Sequence, residues 1–213
     1  MENKGNLNSC LMLTANLQTP VSLSAIFDDS DLKDTGIELD SHITLLYAQG
    51  RDIPRTNLLD DIKDILGYDD TTEFLKYLEE EREENVLDIF DLGKFENESD
   101  YVVLKMKEDF GLFKYLRLIN KGLAVKYEVP SKFDSYTPHL TLAELNPGTA
   151  QKYLDSETLQ LVLKDSVIDF EDLIISYGSD NEVKDRLQYH LTSYAAVDRY
   201  FRLLELEKEN REN

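Results

Sequence analysis

Each of the three histidines in this chain, His42, His139 and His190, has a threonine two positions later: Thr44, Thr141 and Thr192. With 12 threonines in 213 residues, chance would produce that triple coincidence with a probability of about 0.0002. The first two pairs lie in β-rich runs, Ser41–Ala48 and His139–Ala143, and both read H-[IL]-T-L. On a strand, side chains at i and i+2 point to the same face. Each H-x-T therefore sets an imidazole beside a hydroxyl on one face. The intervening Ile43, Leu140 or Leu191 anchors the other face in a core.

The rest of the chain alternates between strand and helix periods. Cys10–Leu17 reads as a strand closed by Thr19-Pro20, and the acidic stretch Asp28–Asp40 reads as a loop. Leu58, Leu59, Ile62, Ile65 and Leu66 fall on one helical face that Gly67 ends. A second helix is expected from Thr71 or Thr72 to about Glu84. Val86–Phe95 and Tyr101–Lys107 read as strands, and Phe113–Leu123 as a helix closed by Asn120-Lys121-Gly122. Asn146-Pro147-Gly148 leads into a short helix over Ala150–Leu154. Strands near Phe170–Tyr177 and Gln188–Ala195, joined by a polar Gly178–Asp185 loop, finish the fold. Hairpin-like and helix-joined strands together point to α+β rather than a doubly wound sheet. The 97-residue spacing of the two H-x-T strands suggests two similar lobes facing each other. No Gly/Ser-rich linker divides the chain, so 1–204 reads as a single two-lobed domain and 205–213 as a charged tail.

Composition limits the partners. The chain is 41% apolar and 10% aromatic with a net charge of −20, which is globular but strongly acidic. Long nucleic acid and anionic membranes, whose binding is cationic, are disfavoured. Residues 60–100 hold 16 acidic and 4 basic side chains, whereas residues 114–132 hold five basic and one acidic. The first run reads as a solvated flank. The second, with Lys126 and Lys132 in it, and Arg51 and Arg55 after the first motif, offers a local break in the acidity. The lone Cys10 excludes a disulfide framework and reads as a strand residue. The polar N-terminus and short Leu11–Leu13 patch do not make a leader segment, so a cytoplasmic location is expected.

Imidazole is the side chain best suited to moving protons near neutral pH, and threonine donates to an anionic oxygen without adding charge. Two such pairs across a cleft supply a base, an acid and two donors to one phosphoryl centre with no metal or other cofactor. Two other readings stay open from the residues alone: hydrogen-bonded structural histidines, and a three-histidine metal site.

His42-Ile43-Thr44-Leu45 and Thr137-Pro138-His139-Leu140-Thr141-Leu142 resemble the paired signatures of the 2H phosphoesterase superfamily, the LigT-like fold. The resemblance implies two α+β lobes in pseudo-twofold relation, with antiparallel-rich sheets around a central cleft and helices outside. It also implies metal-independent phosphodiester chemistry, with His42 and His139 as the acid–base pair and Thr44 and Thr141 on the phosphate oxygens. His190 departs from the pattern and reads as structural or substrate-contacting. Gly93–Glu98 and Asn146–Leu154 are similar to the phage-type branch, whose members include anti-CBASS enzymes that degrade cyclic oligonucleotide signals. That implies a small cyclic oligonucleotide as substrate, in a host cytoplasm if the chain is phage-encoded. Tyr47 and Tyr136, beside the motifs, are candidates for stacking on its bases. The alternatives are a 2H enzyme for 2′,5′-oligoadenylate, 2′,3′-cyclic phosphates or RNA ends, and a non-catalytic nucleotide sponge or acidic protein-binding module.

Overall fold

A computed structural model describes residues 7–50, 53–54, 58–79, 84–129, 136–179 and 182–189. Nine strands form one antiparallel sheet among them: β1 (Leu7–Gln18), β2 (Leu32–Ile37), β3 (His42–Gln49), β4 (Glu84–Asn85), β5 (Phe90–Glu96), β6 (Asp100–Met106), β7 (His139–Leu145), β8 (Val167–Ser179) and β9 (Glu182–Tyr189). Their order is β4-β8-β1-β3-β7-β6-β5, with β2 also beside β7 and β9 beside β8. The helices are α1 (Leu58–Leu66), α2 (Tyr68–Glu79), α3 (Val86–Ile89), α4 (Gly111–Lys126), α5 (Ala150–Leu154) and α6 (Glu157–Lys164). The architecture is α+β with an antiparallel sheet, as the mixed periods require.

Alternation along the strands decides which face the helices cover. Leu11 and Leu13 of β1, Ile43 and Leu45 of β3, Leu104 of β6, Leu140 of β7 and Leu173 of β8 are all fully buried. They join one apolar cluster with Ile62 of α1, Leu116 and Ile119 of α4, and Leu159 of α6. His42, Thr44, His139 and Thr141, at the alternate positions, are only half-buried on the opposite face.

Both motif strands break their alternation at the same point. Leu11 of β1 pairs with Leu46 and Met12 with Thr44, so Leu45 is a bulged residue. Val102 of β6 pairs with Ala143 and Val103 with Thr141, so Leu142 is its counterpart. Each bulge sits three residues after its histidine and turns two consecutive side chains to the core. The phase slip returns Tyr47 to the histidine face. The bulged carbonyls are both satisfied, Leu45 by the Asn120 side-chain amide at 2.6 Å and Leu142 by the Glu38 backbone N–H at 3.1 Å.

Several segments depart from expectation. Residues 32–37 form β2 instead of a loop, pairing Leu32 with Leu145 and Ile37 with Ala143 around a break in register. Only those two ends are apolar, so there was no period to read. Residues 86–89 form a helical turn, not strand: the Asn85 side chain accepts from the Leu87 N–H at 3.0 Å, and Val86 and Ile89 are buried at helical spacing. Helix α6, capped by Ser156 onto the Leu159 N–H, was not expected. β9 starts at Glu182, inside the expected polar loop, because an edge strand needs few apolar residues; Leu187 packs against the core. Residues 80–83, where α2 was expected to continue, and everything from 190 onward lie outside the described residues.

Asn120-Lys121-Gly122 does not end α4, which runs on to Lys126. Gly122 is there for packing: a Cβ on it would lie 2.6 Å from Cγ2 of Ile65 on α1. Gly122→Ala should therefore lower stability by about 1–3 kcal/mol through overpacking, despite alanine's better helix propensity. Urea denaturation checks this, and a stabilised variant would contradict it. No helix among the described residues is long and apolar enough to cross a membrane.

Candidate active site

The two motif strands meet at Ile43 and Leu140, which are paired antiparallel. That register sets His42 across from Thr141 and Thr44 across from His139. The arrangement repeats under a twofold exchange of the strands, and the two imidazoles take the diagonal positions, on the order of 7–8 Å apart at Cβ. Sheet neighbours follow the same symmetry. Thr14 of β1 lies beside His42, and Lys105 of β6 beside His139. The Ala15 N–H donates to the Ser41 carbonyl and the Met106 N–H to the Pro138 carbonyl, each at 2.9 Å.

Both imidazoles are held alike. Nδ1 of His42 lies 2.7 Å from the Asp40 carbonyl, and Nδ1 of His139 lies 2.8 Å from the Thr137 carbonyl. A carbonyl oxygen only accepts, so each Nδ1 carries the hydrogen and each neutral ring keeps its lone pair on Nε2. The two histidines therefore present the same nitrogen to the same face of the sheet.

Their surroundings differ. The His139 and Phe95 rings pack edge to face, with centroids 4.8 Å apart and planes at 77°. The Lys105 ammonium stands 4.4 Å over Phe95 and donates to the Lys94 carbonyl at 2.9 Å. Gly93 leaves room for that lysine stem: a Cβ there would lie 3.1 Å from Lys105 Cε. Burial holds the His139 imidazole below the ordinary histidine value of 6.5. The Thr137 carbonyl opposes that shift, while the charges of His42 and Lys105 add to it.

The hydroxyls are placed to donate. The Cys10 thiol lies 4.0 Å from Thr44 Oγ1, and burial pushes its pKa up to about 11, so it remains a protonated donor rather than a nucleophile. Thr44 keeps its own hydroxyl hydrogen for an incoming acceptor. The Thr141 hydroxyl makes no hydrogen bond among the described residues. Among those residues no three His, Cys, Asp or Glu side chains cluster closely enough to hold a metal ion.

No protein-family model and no curated protein matches the chain. Among solved structures, Usb1 of Kluyveromyces marxianus is similar at 11% identity and a TM-score of 0.41, covering 86% of this chain and 97% of that one. The same protein with uridine monophosphate gives 10%, 0.39, 86% and 98%. Superpositions this loose say nothing about chemistry.

The remaining expected site residues separate. Tyr47, 48% exposed, shares the histidine face because of the Leu45 bulge. Tyr136 is held in place: its hydroxyl donates to the Thr44 carbonyl at 2.9 Å, tying the approach to the second motif onto the first motif strand. Burial raises its pKa far above the ordinary value, so it serves as a donor. Lys126, at the end of α4, is taken up by Asp61 at 2.6 Å and Asp64 at 3.2 Å of α1. Lys114 likewise stands 3.9 Å from Asp70 of α2, so these two members of the basic run face the acidic run. Lys132, His190, Arg51 and Arg55 lie outside the described residues. Phe95 and Lys105 were not expected at the site, because only the β5–β6–β7 register brings them to His139.

Proposed function

We propose that the chain is a metal-independent phosphodiesterase of the 2H type that opens 3′–5′ bonds in small cyclic oligonucleotides. The observation that carries this reading is the antiparallel register at Ile43 and Leu140, which gives two like-tautomer histidines and two threonine hydroxyls one common face. The motif resemblance supplies the reaction class, and the resemblance to the phage-type branch supplies the substrate.

The environments divide the roles. His139, kept neutral by burial and by Lys105, takes a proton at Nε2 from the ribose 2′-hydroxyl or from a water. The deprotonated oxygen attacks phosphorus, and Thr44 and Thr141 donate to the non-bridging oxygens as charge builds there. The P–O5′ bond breaks, and His42, protonated at Nε2, delivers its proton to the departing O5′. A 2′-hydroxyl nucleophile leaves a 2′,3′-cyclic phosphate and a 5′-hydroxyl; water leaves a 3′-phosphate. Turnover of a cyclic dinucleotide followed by chromatography tests the proposal. Tight binding with no product would indicate a sponge instead.

The assignment of the base has a pH signature. The acid limb of kcat/KM should have its midpoint below 6.5, since His139 must be neutral to act. Lys105→Gln removes a positive neighbour that opposes protonation, so it should move that midpoint upward. A pH–rate profile of the two proteins checks this. An unmoved midpoint would remove Lys105 from the account.

A further inference from the structure

The sheet leaves a hollow of about 350 Å³ on the His42 side, at the small end of ligand pockets and suited to one nucleoside. We propose that it holds the base of the nucleoside whose O5′ departs, and that it selects guanine. This rests on the reading of His42 as the proton donor to that oxygen.

The floor is apolar and flat-sided: Met12 of β1 and Ile174 of β8 are sheet neighbours and both line it. Leu39 on the rim is 87% exposed, an apolar side chain left in solvent at the mouth of a hollow. Floor and rim suit the two faces of an aromatic ring. The edges are polar and of mixed sign, with Arg186 of β9 near Glu38 and Asp40 from the segment leading into β3. Nη2 of Arg186 stands 3.9 Å from Oδ2 of Asp40, too far for a hydrogen bond. A guanidinium and a carboxylate thus lie side by side, each with capacity left.

A guanidinium beside the two carboxylates of Glu38 and Asp40 suits guanine best. Guanine presents O6 and N7 to a guanidinium, and next to O6 come the N1–H and N2–H₂ donors for carboxylates. Adenine's amino group lies between the N1 and N7 acceptors, and cytosine's between N3 and C5–H, so each offers carboxylates one donor group where guanine offers two. Uracil offers one N–H between two carbonyls, which carboxylates repel. Asp40 also supplies the carbonyl that fixes the His42 tautomer, so one residue contacts the base and orients the acid.

Initial rates on UpG, UpA, UpC and UpU test the assignment. UpG should exceed the others in kcat/KM by about tenfold, the discrimination of a good bidentate contact. Arg186→Ala and Asp40→Asn, checked for fold by circular dichroism, should each reduce the advantage to under about threefold. Cleavage without guanine preference, or a preference surviving both substitutions, would overturn the pocket assignment and leave the phosphodiesterase reading standing. If no linear dinucleotide is cleaved, turnover of a cyclic dinucleotide decides the phosphodiesterase reading, and calorimetry with GMP and AMP decides the pocket alone. Arg186-dependent binding of GMP about tenfold tighter than AMP supports it, and equal binding overturns it.

Discussion

His42→Ala and His139→Ala should each lower kcat/KM on a cyclic dinucleotide by about 10²–10⁴-fold, the range of a single proton-transfer catalyst. Among the described residues, each histidine hydrogen-bonds the protein through Nδ1 alone, to the Asp40 and Thr137 carbonyls. Either ring can therefore be removed without orphaning a buried donor. Both variants should stay folded, with far-UV circular dichroism unchanged. His139→Ala should lower stability more, since it also removes the edge contact with Phe95. The double variant should be little slower than either single one, because base and acid act on one transition state and their losses do not multiply. Losses that multiply fully would mean the two rings act in separate steps.

The threonines should show the next largest effect. Thr44→Val and Thr141→Val keep the branched shape that suits a strand and delete only a hydroxyl. Losing one donor to a developing oxyanion lowers kcat by about 10²–10³-fold. The loss should fall mainly on kcat, because the charge those hydroxyls meet grows only in the transition state. Serine at either position should restore most of the rate. If valine raised KM with kcat untouched, the threonines would be ground-state contacts only.

The motif strands were easier to read from the sequence than the frame around them. Both H-x-T strands were legible because a period of two with fully buried intervening residues has one interpretation, and 97 residues of separation carried the symmetry. The bulges at Leu45 and Leu142 were not legible, since Leu-Leu and Leu-Ala look like ordinary strand residues until a partner's register skips one. β2 and β9 lie in stretches too polar for their apolar spacing to show. Two lysines of the basic run at 114–132 have partners that the sequence does not show. Lys114 and Lys126 pair with carboxylates of α2 and α1, which depends on helix packing and not on proximity along the chain. Lys105 lies beside His139 on the neighbouring strand, and Arg186 of β9 lines the same hollow as His42, so only sheet order identifies them.

The central claim is that His42 and His139 break a phosphodiester bond with no metal. Incubating the full chain with a cyclic dinucleotide in excess EDTA, and resolving the products by chromatography, tests it most directly. A linear or 2′,3′-cyclic phosphate product is expected, formed at the same rate with and without the chelator and lost in both histidine variants. Activity abolished by EDTA and restored by a divalent ion, or product formation undiminished in His42→Ala and His139→Ala, would contradict it.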